Sequence, residues 1–262
     1  MDRFNKLKEI VLSAGEIIKN GYNQTIDIEK KSATELVTKY DKEVEEFLIS
    51  KIAPLYSEYE IVGEESFKGG ELPENTIYID PIDGTTNFVH KFPHLAISIG
   101  IWENNNPKEA IVYNPILNEF FSAKAGEGSY LNNKKISVTN EESLQNSIIA
   151  TGFPYVKHEM GKEYWWVIDS ITKLLPKIRD IRRLGAAAID LCYLAQGKVN
   201  GFYEVNLQPW DVAAGILIVE EAGGKVSGIR GLKYNLKNQI LIASNGKIHK
   251  KLLENLGDFD GK

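Results

Sequence analysis

Two carboxylates three positions apart, Asp80 and Asp83, follow a short apolar run, with Pro81 between them and Gly84 and Thr85 behind. Two ionised carboxylates this close repel each other, so a site that keeps both ionised needs a cation. Hard divalent ions prefer oxygen ligands, and Mg²⁺ commonly takes carboxylates while retaining waters. Gly84 lets backbone approach a ligand closely, and the N–H groups that open the next turn form an anion site. Within six residues the chain offers cation ligands and phosphate donors, the pairing that metal-assisted phosphate hydrolysis needs.

Taken alone, this stretch has a structural alternative, a strand followed by an Asp-Gly turn with solvated acids. Two further acid clusters favour a site. Glu64 and Glu65 follow an apolar strand-like run, and Asp211 stands in the first turn of an apolar helix. Each has its own alternative, a solvated turn for the glutamates and a dipole-stabilised helix terminus for Asp211. Together the three clusters lie at element ends, where α/β folds place their sites.

The elements that must position these acids follow from apolar spacing. Apolar residues from Phe4 onward recur at helical spacing and predict a helix ending near Gly21. A second helix is expected after residues 36–38, with Asp41 near its start, where an acid suits the helix dipole. The remaining expected elements are strands at 61–63, 77–80, 95–102, 110–113, 119–123, 147–153, 178–183, 201–204 and 240–244, and helices at 162–175, 186–196, 210–222 and 248–256. This alternation predicts a mixed α/β fold built in layers.

The length, charge and cysteine content of the chain limit the classes of protein to which it can belong. Its 262 residues suffice for one large domain, or for two tightly joined subdomains at about 1–140 and 141–262. A formal charge of −5 argues against a nucleic-acid partner, and the longest apolar runs are too short for a membrane span. The charged N-terminus is not typical of a signal peptide. Cys192 is the only cysteine, which excludes a disulfide framework and favours the cytoplasm.

Three motifs resemble one known family. The chain reads GEES at 63–66, DPIDGTTNFVHKFP at 80–93 and PWDVAAG at 209–215. These strings are similar to the signatures of the inositol monophosphatase family, within the lithium-sensitive, Mg²⁺-dependent superfamily that includes fructose-1,6-bisphosphatase. The match runs in order from about residue 30 to residue 224. The resemblance implies a single domain with alternating αβαβα layers and a homodimer.

The resemblance also implies a metal set. Glu65, Asp80 and the Ile82 carbonyl would hold one Mg²⁺. Asp80, Asp83 and Asp211 would hold a second, and a third, weaker ion would sit by Glu65. Lithium would compete at the weaker site.

The same resemblance assigns the catalytic and substrate contacts. Thr85 with Asp41 would orient and deprotonate the water that the ions activate, and Glu65 is counted as catalytic with them. The substrate contacts implied by the family are the Gly84 and Thr85 N–H groups for phosphate, Asp83 and Asp211 beside it, Ala187 and Glu204 at the inositol hydroxyls, and Lys30 near the site. Lys31 stands one residue away, so the lysine assignment depends on the alignment.

One stretch departs from the familiar inositol enzymes. After ATGF, where those enzymes have small polar residues, this chain has Pro154 and Tyr155, and the Trp165–Trp166 pair follows. These aromatic residues either pack in the core or reshape the pocket for a larger substrate, such as a nucleotide phosphate or sugar bisphosphate.

The resemblance makes the chain a Mg²⁺-dependent phosphomonoesterase acting on a small phosphate ester, myo-inositol 1-phosphate in the first place. A broader enzyme acting on NADP(H) or fructose 1,6-bisphosphate is the rival within the class. A regulator that binds RNA polymerase or another protein is the rival of another class. The complete set of acids favours an enzyme, because a binding module has no need of it.

Overall fold

The computed structural model describes residues 2–24, 28–30, 36–155 and 157–259, and for residues 28–30 it describes the backbone alone. The α-helices within these residues are α1 (Arg3–Tyr22), α2 (Lys39–Ile52), α3 (Thr85–Val89), α4 (Lys162–Leu174), α5 (Ala187–Ala195), α6 (Pro209–Glu221) and α7 (His249–Leu253). The strands are β1 (Ile28–Lys30), β2 (Leu36–Thr38), β3 (Glu60–Gly63), β4 (Thr76–Asp83), β5 (Ala96–Glu103), β6 (Asn106–Asn114), β7 (Glu119–Lys124), β8 (Gly128–Leu131), β9 (Lys134–Ile136), β10 (Ile148–Thr151), β11 (Asp180–Arg182), β12 (Gly201–Val205), β13 (Lys225–Ser227) and β14 (Ile240–Ser244).

The strands form two large sheets and one small one. The first large sheet has the order β3-β4-β5-β6-β7-β8-β9, and the second has the order β11-β10-β12-β14-β13. In the first sheet β3 and β4 are parallel, whereas the remaining neighbours are antiparallel. The short strands β1 and β2 form an antiparallel pair that leads into α2.

Helices and sheets alternate in five layers. Helices α1 and α2 cover one face of the seven-stranded sheet, through contacts with β6 and β4. Helices α5 and α6 pack together on the other face and also contact β12 and β13 of the second sheet. Helices α4 and α7 contact β12 and β14 on the far side. The predicted αβαβα layering is confirmed.

Strand β4 is central to this stack and is buried along its whole length. A strand covered by helices on both faces reads as a nearly continuous apolar run, and β4 follows this rule up to Ile79. Its two aspartates therefore lie inside the protein, in a position where acids need a specific partner. Cys192 is also fully buried, among the apolar side chains of α5, as expected for a core residue.

The predicted elements and the observed ones agree in most of the chain, with differences at the edges. Strand β4 continues through Pro81 to Asp83 instead of ending at Asp80. Strands β1, β2, β8, β9 and β13 were not predicted from the sequence, because each is only three or four residues long. The division of the chain near residue 140 stays a prediction. No helix among the described residues combines the length and apolarity needed to cross a membrane.

Candidate active site

Asp80 and Asp83 reach the same side of the sheet because β4 contains an irregularity. In a regular strand, residues three apart point to opposite faces. Here Asp80 pairs with Ser98 and Asp83 pairs with Ala96, so three steps on β4 oppose two steps on β5. Pro81, which has no N–H to donate to the ladder, lies within this bulge. The bulge explains how a DxxD sequence can direct both carboxylates to one site.

The glutamate beside Asp80 is Glu64. Strands β3 and β4 are parallel and pair Gly63 with Ile79, so the next residues, Glu64 and Asp80, are neighbours. The two carboxyl groups share a hydrogen bond, and the charge of Glu64 raises the pKa of Asp80. The backbone N–H of Glu65 donates to Oε2 of Glu45 at 2.9 Å. The structure therefore places the Glu64 carboxylate beside Asp80, and the assignment of Glu65 as a metal ligand stays a prediction.

Two helix termini bring the other acids to β4 from opposite faces. Asp41 is the third residue of α2, and its Oδ2 accepts the Thr38 N–H at 2.7 Å. Asp211 is the third residue of α6, and its Oδ2 accepts the Gln208 N–H at 2.8 Å. Both acids thus complete a capping box, in which a side chain reaches back to the backbone before the helix. The same local rule fixes a buried carboxylate on each side of the central strand.

Thr85 and Asp41 form a direct pair. The Thr85 hydroxyl donates to Oδ1 of Asp41 at 3.0 Å, and the Ile82 carbonyl lies 3.2 Å from the same hydroxyl. The other oxygen of Asp41 receives the Thr38 hydroxyl at 2.6 Å. Asp41 is fully buried and is held by donors on both oxygens, so its orientation toward Thr85 is fixed.

Gly84 opens α3 in a conformation that favours glycine. Its φ is 94°, and a β-carbon there would lie 3.1 Å from the His94 carbonyl oxygen and 3.2 Å from the Ala186 side chain. The Gly84 carbonyl accepts the Phe88 N–H, which closes the first turn of the helix. The N–H groups of a first helical turn have no acceptor within the helix. At Gly84 the backbone therefore passes close to the backbone of His94, at the start of that turn.

Asn87 and Asp83 join this turn to the second half of the chain. The Asn87 side-chain amide donates to the His94 carbonyl at 2.6 Å and to the Leu184 carbonyl at 2.9 Å. Oδ2 of Asp83 accepts the Ala188 N–H at 2.6 Å, in the first turn of α5. Ala187, named from the sequence, begins that helix and is buried.

Glu204 lies on β12, with its side chain against Gly152 at the end of β10. Burial raises the pKa of Glu204, and the charges of Asp190 and Asp211 raise it further, whereas Arg183 lowers it. Asp190 itself is paired with Nε2 of His94 at 3.0 Å. Glu204 is therefore a member of the same electrostatic cluster, as the sequence predicted for a strand end near Asp211.

Tyr155 is partly exposed to solvent, while its hydroxyl points into the protein. Its side chain is 39% exposed, yet its hydroxyl donates to Oδ2 of Asp211 at 3.3 Å. The negative charge of Asp211, followed by burial of the hydroxyl, raises the pKa of Tyr155. Of the tryptophan pair, Trp166 is buried edge-on against Tyr203, with ring centroids 5.6 Å apart, and Trp165 is exposed. Packing accounts for Trp166, while Tyr155 reaches the acid cluster.

The acid cluster is electrostatically costly without a cation. Burial raises the pKa of Asp80, and the charges of Glu64, Asp83 and Asp211 add to the effect. Burial and Asp211 likewise raise the pKa of Asp83, against the lowering effect of the Ala188 N–H. In the part of the chain that the structure describes, no three acidic, His or Cys side chains are already arranged as ligands around one point. All the candidate donors are oxygens, however, and a buried set of like charges suits a hard divalent cation.

Some assignments lie outside this geometry. The side chain of Lys30 is outside the described part of the chain, as is Lys31. Asn87 and Gly152 have roles in the site that sequence reasoning missed, and so has the contact of Glu64 with Asp80. For Glu64 the useful signal would have been the register of two adjacent strands, which the sequence does not reveal. For Asn87 and Gly152 the contacts come from residues distant in the chain.

Comparisons with known proteins identify the family. The sequence profile of the inositol monophosphatase family matches residues 2–259. The chain is 38% identical over 252 residues to the Nus factor SuhB of Escherichia coli K12, covering 94% of this chain and 92% of that protein. This chain belongs to the inositol monophosphatase family.

Solved structures agree with the profile. The IMPase of Thermotoga maritima superposes with a TM-score of 0.87 at 32% identity, covering 97% of this chain and 96% of that one. A Staphylococcus aureus IMPase-II with inositol monophosphate bound gives a TM-score of 0.80 at 26% identity, covering 97% and 93%. The same S. aureus enzyme with 2′AMP bound gives 0.80 at 27%, covering 96% and 92%.

Proposed function

We propose that this protein is a Mg²⁺-dependent phosphomonoesterase that hydrolyses myo-inositol 1-phosphate to inositol and phosphate. The single observation that carries the proposal is the Thr85–Asp41 pair, at 3.0 Å, beside a buried cluster of carboxylates. Membership of the inositol monophosphatase family supports the reaction class.

The Thr85 hydroxyl has one hydrogen, and Asp41 accepts it. The threonine oxygen is then left to accept a hydrogen bond from a water molecule. A water held in this way is oriented toward a phosphate on the N–H groups of Gly84 and Thr85. As the water attacks phosphorus, its proton passes to the Thr85 oxygen while the threonine proton moves to Asp41.

The acid cluster has a separate role in holding metal. Glu65, Asp80 and the Ile82 carbonyl would hold one Mg²⁺, and Asp80, Asp83 and Asp211 a second. The carboxylate of Glu64, which lies beside Asp80, adds negative charge to the same cluster. When bound, Mg²⁺ lowers the pKa of a coordinated water and neutralises charge on the phosphate and leaving oxygens. The new P–O bond comes from water and the ester P–O bond breaks. The departing inositol oxygen takes a proton from a solvent water, and the proton left on Asp41 returns to solvent.

Glu204 supports a polyol as the leaving group. Its partly buried carboxylate lies near Asp83 and Asp211 and can accept hydrogen bonds from vicinal hydroxyls. The S. aureus relative that binds inositol monophosphate supports this choice. A broader enzyme that also accepts NADP(H) or fructose 1,6-bisphosphate is the alternative, and the relative with 2′AMP bound supports a nucleotide.

A phosphate-release assay tests the proposal. Myo-inositol 1-phosphate, NADP, fructose 1,6-bisphosphate and adenosine 3′,5′-bisphosphate are compared at equal concentration with and without Mg²⁺. We expect Mg²⁺-dependent release, fastest with inositol 1-phosphate. Asp83→Asn should lower kcat by at least ~100-fold, because it removes a charge at the second ion with little change of shape. Asp169→Asn, at an exposed acid paired with Lys173, is the matched control.

A second candidate function is a regulatory protein that binds RNA polymerase or another protein. The name Nus factor SuhB, carried by relatives at 37–38% identity, supports it. Absence of phosphate release from all four substrates, at saturating Mg²⁺ and with a folded protein, would overturn the enzyme and favour the regulator. Near-normal turnover in Asp83→Asn would overturn the ligand assignment alone.

A further inference from the structure

Helix α2 carries a second buried acid, Glu45, one turn after Asp41. Only 2% of the Glu45 surface is exposed. Residues four positions apart are neighbours on one face of a helix, so Asp41 and Glu45 lie on the same buried face of α2. Asp41 is engaged with Thr85, and the partner of Glu45 lies at the end of strand β3.

The carboxylate of Glu45 lies directly against Gly63, the last residue of β3. A β-carbon at position 63 would lie 2.5 Å from Cδ of Glu45 and 2.8 Å from its Oε1. Any side chain larger than that of glycine would therefore collide with the carboxylate. The missing side chain at Gly63 is what allows Glu45 to reach the residues that follow β3.

The residues after Gly63 form the turn that carries Glu64 and Glu65. The Glu64 N–H donates to the Ile79 carbonyl of β4 at 3.0 Å. The Glu65 N–H donates to Oε2 of Glu45 at 2.9 Å. The turn is thus held by β4 at one residue and by α2 at the next, and the bond to α2 depends on a single side chain.

We propose that Glu45 is a positioning residue for the Mg²⁺ site assigned to Glu65, and that it acts through the Glu65 backbone without touching the ion. This proposal rests on the proposed phosphatase function. A hydrogen bond from a backbone N–H to a carboxylate is stronger than one between neutral groups. Partners that hold metal ligands in place commonly contribute ~10- to 100-fold to metal affinity. With its backbone held, Glu65 has less freedom to lose when a cation binds.

The face of α2 therefore supports two separate parts of the candidate active site. Asp41 accepts the Thr85 hydroxyl at 3.0 Å, and Glu45 accepts the Glu65 N–H one helical turn later. A change at Glu45 leaves the bond between Asp41 and Thr85 in place. We therefore expect such a change to weaken metal binding far more than it lowers the rate at saturating Mg²⁺.

The test separates the reach of the Glu45 side chain from its charge. Glu45→Asp keeps the charge but is shorter by one methylene group, so its carboxylate does not reach the Glu65 N–H. Glu45→Gln keeps the length and an oxygen acceptor but removes the charge. Calorimetric titration of Mg²⁺ into substrate-free protein measures the affinity. We expect the Kd to rise at least ~10-fold in Glu45→Asp and less than about threefold in Glu45→Gln.

Ser170→Ala is the matched control, because Ser170 is also fully buried and its hydroxyl accepts the Gly257 N–H at 2.8 Å, on α4. This change removes a buried acceptor of a backbone N–H elsewhere in the fold, so it should lower Tm and leave the Mg²⁺ Kd unchanged. In the phosphate-release assay, Glu45→Asp should need at least ~10-fold more Mg²⁺ for half-maximal rate and keep kcat at saturating Mg²⁺ within about threefold.

A Kd that rises as much in Glu45→Gln as in Glu45→Asp would assign the effect to charge and overturn the positioning role. An unchanged Kd in Glu45→Asp would overturn it as well. If Glu45→Asp does not fold, Gly63→Ala, which pushes the carboxylate away, replaces it under the same criteria, and loss of folding in both would make Glu45 structural and overturn the proposal.

The metal titration also separates this proposal from the proposed function. If the unchanged protein binds Mg²⁺ but releases no phosphate, the phosphatase fails, and the Kd values of the Glu45 variants still decide about the positioning role. If phosphate is released and the Kd is the same in all variants, the phosphatase stands and the role of Glu45 is overturned. Absence of Mg²⁺ binding by the unchanged protein would overturn both.

Discussion

The Glu204 carboxylate occupies the space that a side chain at Gly152 would need. A β-carbon at position 152 would lie 1.8 Å from Oε1 of Glu204 and 2.1 Å from its Cδ. Non-bonded carbon and oxygen atoms do not approach this closely. Any residue other than glycine at position 152 would therefore force the Glu204 side chain to move. The position of the acid assigned to the polyol is thus set by a residue more than fifty positions away in the chain.

Gly152→Ala should therefore displace Glu204 without removing its charge. We expect kcat/KM for inositol 1-phosphate to fall at least ~10-fold, because a charge-assisted hydrogen bond contributes about 1.5–3 kcal/mol. Turnover of a simple aryl phosphate, which has no hydroxyls for Glu204, should change little, and Glu204→Gln should give the same pattern. Gly161→Ala is the control, since its β-carbon would meet only the flexible end of Glu163 at 3.3 Å. Equal losses for both substrates would mean that Glu204 has no part in selectivity.

The assignment of Glu65 as a metal ligand is tested by a pair of single substitutions. Glu65→Gln should raise the Mg²⁺ concentration for half-maximal activity at least ~10-fold, because it removes a charged oxygen donor from the first ion. Glu64→Gln, which removes the neighbouring charge beside Asp80, should shift it less than about threefold. Mg²⁺ titration of initial rates measures both, with thermal melting as a check on folding. A larger shift in Glu64→Gln than in Glu65→Gln would move the assignment to Glu64.

Lithium inhibition follows from the all-oxygen donor set. Li⁺ is small and hard, and the family resemblance suggests that it competes at the weaker ion site. We expect millimolar Li⁺ to lower the rate with inositol 1-phosphate, to an extent that depends on the Mg²⁺ concentration. Rates that stay constant over this range of both ions would count against a weak third site, though not against the phosphatase.

Protonation of His249 should make the free energy of unfolding depend on pH. Its Nε2 is hydrogen-bonded to the Ser227 hydroxyl and its Nδ1 to the Ser244 hydroxyl, each at 2.9 Å, in a buried site between β13, β14 and α7. Burial, together with the nearby charge of Lys225, lowers the pKa of His249 from 6.5 to about 4. Between these values the unfolded chain binds a proton that the folded protein does not, so stability falls as the pH drops from 6.5 toward 4.

The loss from His249 should reach about 3 kcal/mol at most. Urea unfolding of metal-free protein at pH 7.5 and pH 5 measures it. The buried carboxylates contribute with the opposite sign, because their pKa values are raised, and comparison with His249→Gln removes their contribution. We expect a smaller acid-induced loss in His249→Gln than in the unchanged protein, and no such difference in His158→Gln at an exposed histidine. Identical pH dependence in all three proteins would show that His249 does not titrate differently on folding.

The sequence predicted the layers and most of the acids because both depend on local patterns. Helical spacing gave α1 and α2, and the capping positions of Asp41 and Asp211 follow from their place in the first turn of a helix. The contact of Glu64 with Asp80 depends on the register of β3 against β4, a non-local property that neither strand encodes by itself. The contact of Tyr155 with Asp211 likewise joins residues 56 positions apart. Sequence patterns thus predict each helix and strand, whereas the contacts between residues on different elements depend on how those elements pair.

The contacts of the Asn87 side-chain amide bear on the stage of chain synthesis at which the turn after Asp83 can form. Its two hydrogens bind carbonyls at positions 94 and 184, the second 97 residues away along the chain. The turn that follows Asp83 is therefore incomplete until the polypeptide has been made well past its midpoint. Asp211 enters later still, near the end of synthesis. A nascent chain on the ribosome carries the DPIDGTT segment early and gains Asp211 only in the last quarter of translation, so we expect a chain truncated before Asp211 to lack the complete acid cluster.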